Sequence, residues 1–356
     1  VANSSDTIGF AIVGCGMIAR FHARALAEVP GARVAALVSR STDSACKLAA
    51  EVGLSCDWHT DLSAALGRRD VHAVIVTTPS GAHLEPAVAA AEAGKHVVVE
   101  KPLEITTARC DQIIDACDRH GVRLAVIFPS RFGDANRVLK GAVEAGRFGR
   151  LTLGETACKW WRSQAYYDEG GWKGTRALDG GGALMNQAIH NVDLLQWIMG
   201  PVTRVAAFTA TLAHERIEVE DTAVACVHFA AGALGVIQAA TSAWPGLPKT
   251  VVVHGDRGTV VVEQDDVLRW EFDPPTEEDT RVRERFSQKV GASGGSSNPA
   301  AISHQGHACQ LADFVRAIRS GTAPLVDGRE GRKAVAIIEA IYRSAATGRA
   351  VELPAG

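Results

Sequence analysis

The stretch GFAIVGCGMIARFHARALAEV, residues 9–29, decides the fold. Its first six residues form an apolar, strand-like run, and from Ile18 onward Ala, Arg, Leu and Glu, which favour helix, dominate. Between the two stands GCGMIA (14–19). Gly14 permits a tight turn there, and Gly16 lets the backbone approach a pyrophosphate. Ala19 takes the third position, where a helix must pack closely. The helix that follows offers free N–H groups and a positive partial charge to phosphate. The spacing alone is common, but directly after a first strand it predicts a dinucleotide site made by Gly14, Gly16, Met17 and Ile18.

The alternation continues outward from that junction. ARVAALVS (32–39), VHAVIVTT (71–78), KHVVVE (95–100) and VRLAVIF (122–128) have strand character. STDSACKLAAEVG (41–53), EPAVAAAEAG (85–94) and TARCDQIIDACDRHG (107–121) have helix character. Continuous Val/Ile strands, each followed by a helix, predict a parallel sheet covered on both faces, an α/β Rossmann domain over residues 1–128. At the end of the second strand an acid would favour NAD and a base NADP. Ser39-Arg40-Ser41 stands there with no acid before Asp43. NADP is favoured and NAD stays open.

Residues 129–356 have a different pattern. A helix near 134–146 leads to LTLGETACKWW, a helix over 183–199 stopped by Gly200-Pro201, and a series of β-rich segments separated by turn residues such as Gly232 and GDRG (255–258). This predicts an α+β domain with a large, mostly antiparallel open sheet. Two helices, near 304–320 and 329–346, close the chain. Apolar alternation in DTAVACVHFA and ALGVIQAATS leaves a sheet face to cover, so a homo-oligomer, dimer or tetramer, is expected.

Net charge is -3 without charge blocks, which argues against a nucleic-acid partner. No run reaches membrane-spanning length, and the start lacks leader character. Eight cysteines without a CxxC pair fit a reducing, cytoplasmic compartment. Asn3-Ser4-Ser5 is a chance glycosylation match. GASGG (291–295) has no strand–helix context for a nucleophile elbow. SHQGH (303–307) lacks carboxylate company, so no metal is expected.

One further stretch carries chemistry, DGGGALMNQAIHNVDLL (179–195). Asn186, His190 and Asp193 fall at i, i+4 and i+7, on one helix face. A polar line on an otherwise apolar helix is costly unless it is partnered or faces a ligand. His190, with an ordinary pKa of about 6.5, suits proton exchange near neutrality. Asn186 suits a sugar hydroxyl or the orientation of His190, and Asp193 could set the imidazole tautomer. Lys101 ends HVVVEK at the C-terminal edge of a strand, where open α/β sheets bind ligands. WWRSQAYYDEGGWKGTR (160–176) is rich in aromatic and basic groups, with Tyr166 and Trp172 as candidate sugar contacts. Arg131 in FPSRF is another.

TTPSGAH (77–83), EAGKHVVVEKPL (92–103), GGGALMNQAIHNVD (180–193) and the tail HACQLADFVRAIRSG together resemble the Gfo/Idh/MocA family of oxidoreductases. The resemblance implies a Rossmann domain followed by an open-sheet domain used for oligomerisation. It also implies nicotinamide-dependent oxidation or reduction of a secondary alcohol on a sugar, cyclitol or nucleotide-sugar ring. The family's EKP motif corresponds to Glu100, Lys101 and Pro102, and implies that Glu100 and Lys101 border the cofactor and that Lys101 contacts the reacting hydroxyl. Thr78, Pro79 and His83 correspond to its cofactor-side loop. Its Asp/His pair corresponds to Asn186 and His190, so this chain carries an amide where the family commonly has a carboxylate. The expectation is that Lys101 polarises the substrate oxygen and His190 exchanges its proton. Reduction of a non-carbohydrate carbonyl or imine is the enzymatic alternative. A catalytically silent dinucleotide sensor is the other, with Asn186 its only support.

Overall fold

The computed structural model describes residues 7–169, 171–287 and 303–354. The Asn3 triplet, GASGG and most of the Gly/Ser-rich run over 286–300 lie outside them. The chain groups into two compact units. One is built on the residues up to Pro129 together with His304–Arg332, the other on Ser130–Ser303 together with Lys333 onward.

In chain order the first unit contains β1 (Ile8–Val13), α1 (Met17–Ala27), β2 (Ala32–Val38), α2 (Thr42–Val52), β3 (Asp57–His59), α3 (Leu62–Leu66) and β4 (Ala73–Val76). Then follow α4 (Leu84–Glu92), β5 (His96–Val99), α5 (Thr107–Arg119) and β6 (Leu124–Val126). The strands lie in the order β3-β2-β1-β4-β5-β6, and every neighbouring pair is parallel. This is the doubly wound order, in which the strand sequence reverses beside β1 and ligands bind past the carboxyl ends of the strands. Two central strands, AVIV in β4 and VVV in β5, are buried residue by residue, which explains why they lack polar alternation.

The helix at Gln305–Ser320 completes this unit, although in chain order it follows the second. Its Leu311 and Phe314 join Phe10, Ile12, Ile75 and Val98 in one core. Gln310 seals the edge strand: its Nε2 donates to the Val126 carbonyl at 2.7 Å and its Oε1 accepts from the Phe128 N–H at 3.0 Å. Nothing local in the sequence announces this packing, because every contact is long-range.

The second unit holds α6 (Asp134–Glu144), β7 (Leu151–Lys159), α7 (Gln164–Asp168), α8 (Ile189–Met199), β8 (Val202–Ala210), β9 (Thr222–Phe229), β10 (Leu234–Ala240) and β11 (Thr250–Gly255). It continues with β12 (Gly258–Glu263), β13 (Asp266–Phe272) and α9 (Glu277–Ser287). The first unit's closing helix is α10, and α11 (Gly328–Thr347) and β14 (Val351–Glu352) end the order. The sheet runs β13-β12-β11-β7-β10-β9-β8-β14. Only its β7–β10 pair is parallel among the described strands, in line with the expected mostly antiparallel sheet.

The alternation in β8, β9 and β10 divides the sheet into two faces. Val205, Ala207, Ala223, Ala225, Val227, Ile237 and Ala239 point into the core. α8 packs on β7 and β11 and is buried nearly all round. Its Asn191 Nδ2 donates to Thr156 Oγ1 at 2.7 Å and to the Thr250 carbonyl at 3.2 Å. On the other face Phe208 stands opposite Val224, and Val224 opposite Gln238. Phe208 is 83% exposed.

Candidate active site

The glycine junction forms as the spacing predicts. β1 ends at Val13, and Gly14 turns the chain with φ +96°, a conformation that L side chains rarely adopt. A Cβ there would also meet the Thr77 carbonyl at 2.9 Å. Thr77 Oγ1 lies 2.6 Å from the Gly14 carbonyl and 2.9 Å from the Val13 carbonyl, holding the loop against β4. At Gly16 a Cβ would meet nothing within 4 Å, so the space beside the backbone is open. Gly16 is also the N-cap of α1, with no side chain capping the helix and no acid in its first turn. The first-turn N–H groups are thus left to a phosphate. Met17 is exposed, Ile18 half-buried, and Ala19 fully buried in the helix-packing position. These residues fit a dinucleotide.

At the end of β2, Arg40 is exposed and makes no hydrogen bond or ion pair among the described residues. Ser39 Oγ accepts from the Ser41 N–H at 3.3 Å. Ser41 is the N-cap of α2, its hydroxyl accepting from the Ser44 N–H, so helix capping occupies it.

The loop after β4 and the turn after β5 are stitched together by His83. Its Nδ1 is 2.9 Å from the Pro102 carbonyl and its Nε2 3.0 Å from the Thr78 carbonyl. Thr78 Oγ1 donates in turn to the Ala82 carbonyl, and Pro79 caps the short turn at Ser80–Ala82. His83 is 1% exposed. The sequence points to His83 as a cofactor contact, whereas its ring is spent inside the protein on holding two ligand-side loops in register. Burial lowers its pKa. A neutral ring donates to one of the two carbonyls at a time.

Lys101 lies half-buried just past β5. The residue before it, Glu100, expected at the cofactor, is instead buried, and its Oε2 accepts the Lys101 backbone N–H at 3.1 Å. Glu100 Oε1 lies 2.7 Å from His22 Nε2, on α1, and 3.7 Å from His307 Nε2, on α10. The sequence reading gives His307 no carboxylate neighbour; the fold supplies Glu100 from a distant part of the chain. His22, Glu100 and His307 are the one group among the described residues whose composition and spacing could hold a metal ion.

In the second unit, the glycines of DGGG allow close packing. A Cβ on Gly182 would lie 1.7 Å from the Glu220 carbonyl, so no side chain is possible there. Glu220 receives this turn: Oε2 accepts the Gly182 N–H at 3.0 Å and Oε1 the Leu184 N–H at 2.8 Å. Tyr342 Oη donates to Oε1 at 3.1 Å. Burial raises the Glu220 carboxyl to about 7.

The expected single helix over 183–199 begins instead as a π-helical segment, Ala183–Ala188, and continues as α8. The wider turn breaks the i, i+4, i+7 register, and the three polar residues take different surroundings. Asn186 Nδ2 donates to Asp179, and Gln187 Nε2 donates to Asn186 Oδ1 at 2.8 Å and to Tyr166 Oη at 3.2 Å. Asp193 turns to Arg131, which donates from Nε to Oδ2 at 2.9 Å and from Nη2 to Oδ1 at 2.6 Å. That pair is buried, with Arg131 1% exposed and Asp193 fully buried. Expected as substrate contacts, the two engage each other. His190 is half-buried on the first turn of α8.

Around Tyr166 the aromatic–basic stretch forms a cluster. Arg162 lies over the Trp160 ring at 5.0 Å and the Tyr166 ring at 5.5 Å, and Lys173 Nζ over Tyr166 at 3.9 Å. Arg162 Nη2 donates to Gln187 Oε1 at 3.0 Å. Trp172 is half-buried, in the same loop. Asp179 and Gln187 were not expected from the sequence, and Arg162 only as one of the basic groups of its stretch. Asp179 directly before the glycines was the one available signal.

A parallel sheet in doubly wound order with an open glycine turn defines a dinucleotide-binding protein. The family model described as "Oxidoreductase family, NAD-binding Rossmann fold" matches residues 8–128, and the GFO/IDH/MocA C-terminal domain matches 136–261. The chain belongs to the Gfo/Idh/MocA family of NAD-binding oxidoreductases.

Among its relatives is the WlbA dehydrogenase of Bordetella pertussis, solved in complex with NADH and UDP-GlcNAcA. That enzyme is 35% identical, with 99% of each chain covered and a TM-score of 0.89. The myo-inositol 2-dehydrogenase of Thermotoga maritima is 28% identical over 96% of this chain and 97% of its own. The 2,7-anhydro-N-acetylneuraminate hydratase of Mediterraneibacter gnavus is 33% identical over 59% of this chain, and the match spans about half, 54%, of that protein. No helix among the described residues is long and apolar enough to cross a membrane.

Proposed function

We propose that the chain is an NAD-dependent dehydrogenase of a secondary hydroxyl on a sugar ring, and that the sugar is carried on a nucleoside diphosphate. The observation that carries this reading is the 35% identity, over 99% of both chains, to an enzyme solved with NADH and a UDP-sugar acid. Two features of this chain support it: the sequence carries Lys101 and His190 in stretches that resemble the family's motifs, and the glycine turn is open to a pyrophosphate.

Gly14, Gly16, Met17 and Ile18 would hold the pyrophosphate at the start of α1. When bound, the nicotinamide supplies the acceptor for the hydrogen leaving the ring carbon, or returns it to the ketone. Lys101 holds the reacting oxygen and steadies the negative charge that develops on it. His190 takes the hydroxyl proton. Asn186, tied through Gln187 to Tyr166, holds a neighbouring ring hydroxyl. Trp172 offers an apolar face to sugar C–H groups. Arg162 and Lys173 suit a carboxylate or diphosphate on the substrate.

Arg40, with no acid before Asp43, admits the 2′-phosphate of NADP beside NAD. A second copy of the chain covers the open face around Phe208 and Val224, giving a dimer or tetramer. The enzyme works in the cytoplasm. The test is cofactor absorbance with NAD and a panel of free sugars, cyclitols and UDP-sugars. Reduction with a UDP-sugar supports the reading, reduction only with free polyols removes its nucleotide part, and no response to any of them refutes it.

A further inference from the structure

We propose that His22 and His307 are positioning residues for Lys101, acting by keeping Glu100 an ionised carboxylate that anchors the Lys101 backbone. The inference rests on the reading of Lys101 as the residue that touches the substrate oxygen.

The geometry lies wholly within the first unit. Glu100 sits at the carboxyl end of β5 and presents its two oxygens in opposite senses. Oε2 accepts the Lys101 N–H at 3.1 Å, and Oε1 meets His22 Nε2 at 2.7 Å with His307 Nε2 3.7 Å away. The two imidazoles cross edge to face, centroids 5.2 Å apart at 88°. Both are buried, and the Nδ1 of each has no hydrogen-bond partner among the described residues.

That last fact sets the protonation. A proton on either Nδ1 would bury a donor without an acceptor, a costlier defect than a bare lone pair. His22 is therefore neutral with its proton on Nε2, donated to Glu100, and His307 turns its Nε2 toward the same oxygen. Burial also pulls the His22 pKa down, in keeping with a neutral ring. The same Nδ1 atoms argue against a metal centre. Metal-bound histidines donate their second nitrogen to an acceptor, and among the described residues there is none.

Burial works against the charge, but the His22 and His307 side chains beside it outweigh burial, and Glu100 is held well below the ordinary carboxylate range. The other charged or titratable groups facing this site are few. His83, at the start of α4, is within electrostatic reach, and beyond it Glu104 is paired with Arg109 at 2.8 Å. Lys101 itself is adjacent in the chain. Without its histidine donors, a carboxyl buried there would take up a proton at a much higher pH. Protonated, it would present an O–H and a weaker acceptor to the Lys101 backbone.

The experiment compares His22→Leu, His22→Gln, His307→Leu and Glu100→Gln by ¹³C NMR with carboxyl-labelled glutamate. Glu100→Gln assigns the signal, and thermal melting with NADH fluorescence confirms folded protein. In the unmutated protein the Glu100 signal should not titrate across the range of stable pH. In His22→Leu it should titrate within that range, its pKa raised by about one unit or more. His22→Gln, which keeps an N–H at the Nε2 position, should restore the flat profile. In kinetics His22→Leu should lower kcat on the acidic side at nearly unchanged KM and NADH affinity.

A Glu100 signal indifferent to both histidines overturns the proposal. So does stoichiometric zinc in the purified protein that is lost in His22→Leu. If the NMR result holds but no sugar is turned over by the unmutated protein, the functional reading fails while the Glu100 anchor stands.

Discussion

Arg131 and Asp193 face each other in the interior of the second unit, joined by two parallel N–H···O bonds of 2.9 and 2.6 Å. The guanidinium also lies 5.4 Å from the Trp197 ring centroid. Both charges are out of water, so removing one takes from the other its bidentate partner. Arg131→Met should cost about 3–5 kcal/mol of stability. Replacing both, Arg131→Met with Asp193→Leu, should cost much less than the sum. Urea unfolding of the two single variants and the double checks this; additive losses would mean the pair is not coupled.

Arg40 is predicted to act on cofactor choice. An arginine–phosphate contact is charge-assisted and worth on the order of 1.5–3 kcal/mol. Arg40→Ala should therefore weaken NADPH binding roughly 10- to 100-fold by the same scale and leave NADH nearly unchanged. Fluorescence titration with both cofactors decides it. Equal weakening of both would assign Arg40 a general role at the site.

The fold was legible because its signals are local. GCGMIA, each Val/Ile strand and each helix carry their signal within a short span of sequence. The mostly antiparallel sheet was legible for the same reason, from alternation in β8 to β10. The candidate site was legible in residue identity but only partly in geometry. Lys101, His190 and Asn186 stand out as types, yet the π-helical turn over Ala183–Ala188 depends on Glu220 and Tyr342 receiving the glycines from afar. That turn separates Asn186 from Asp193. The burial of His307 beside Glu100 depends likewise on α10 returning to the first unit. Such pairings leave no periodic trace.

The exposed Phe208 and Val224, in a row with the half-buried Gln238, predict an interface between copies of the chain. Placing two like charges there, Phe208→Glu with Val224→Glu, should dissociate the assembly while leaving each chain folded. Light scattering at micromolar concentration should show oligomer for the unmutated chain and monomer for the variant. A monomeric unmutated chain would remove the interface altogether.

Glu220 predicts a pH dependence of stability. Its carboxyl is raised to about 7 from the ordinary 4.5 by burial, so between those values the folded state binds the proton more tightly than the unfolded chain. This contribution is fully present below about 4.5, falls as pH rises through about 7, and is flat beyond. Glu220→Gln should lower stability overall, because one oxygen that accepts a backbone N–H is lost, and it should also flatten that slope. Melting temperatures of both proteins from pH 5 to pH 8 test it; parallel curves would show that Glu220 does not titrate there.

In the proposed reaction a hydrogen passes between the sugar ring and nicotinamide, with His190 taking the hydroxyl proton and Lys101 holding the oxygen. The most direct measurement follows deuterium from a UDP-sugar labelled at every ring carbon, incubated with the enzyme and NAD. The account predicts one deuterium in the reduced cofactor by mass spectrometry. It also predicts that His190→Ala slows its appearance about 10²–10⁴-fold while NADH affinity holds. Cofactor that stays unlabelled while the sugar is converted would contradict it.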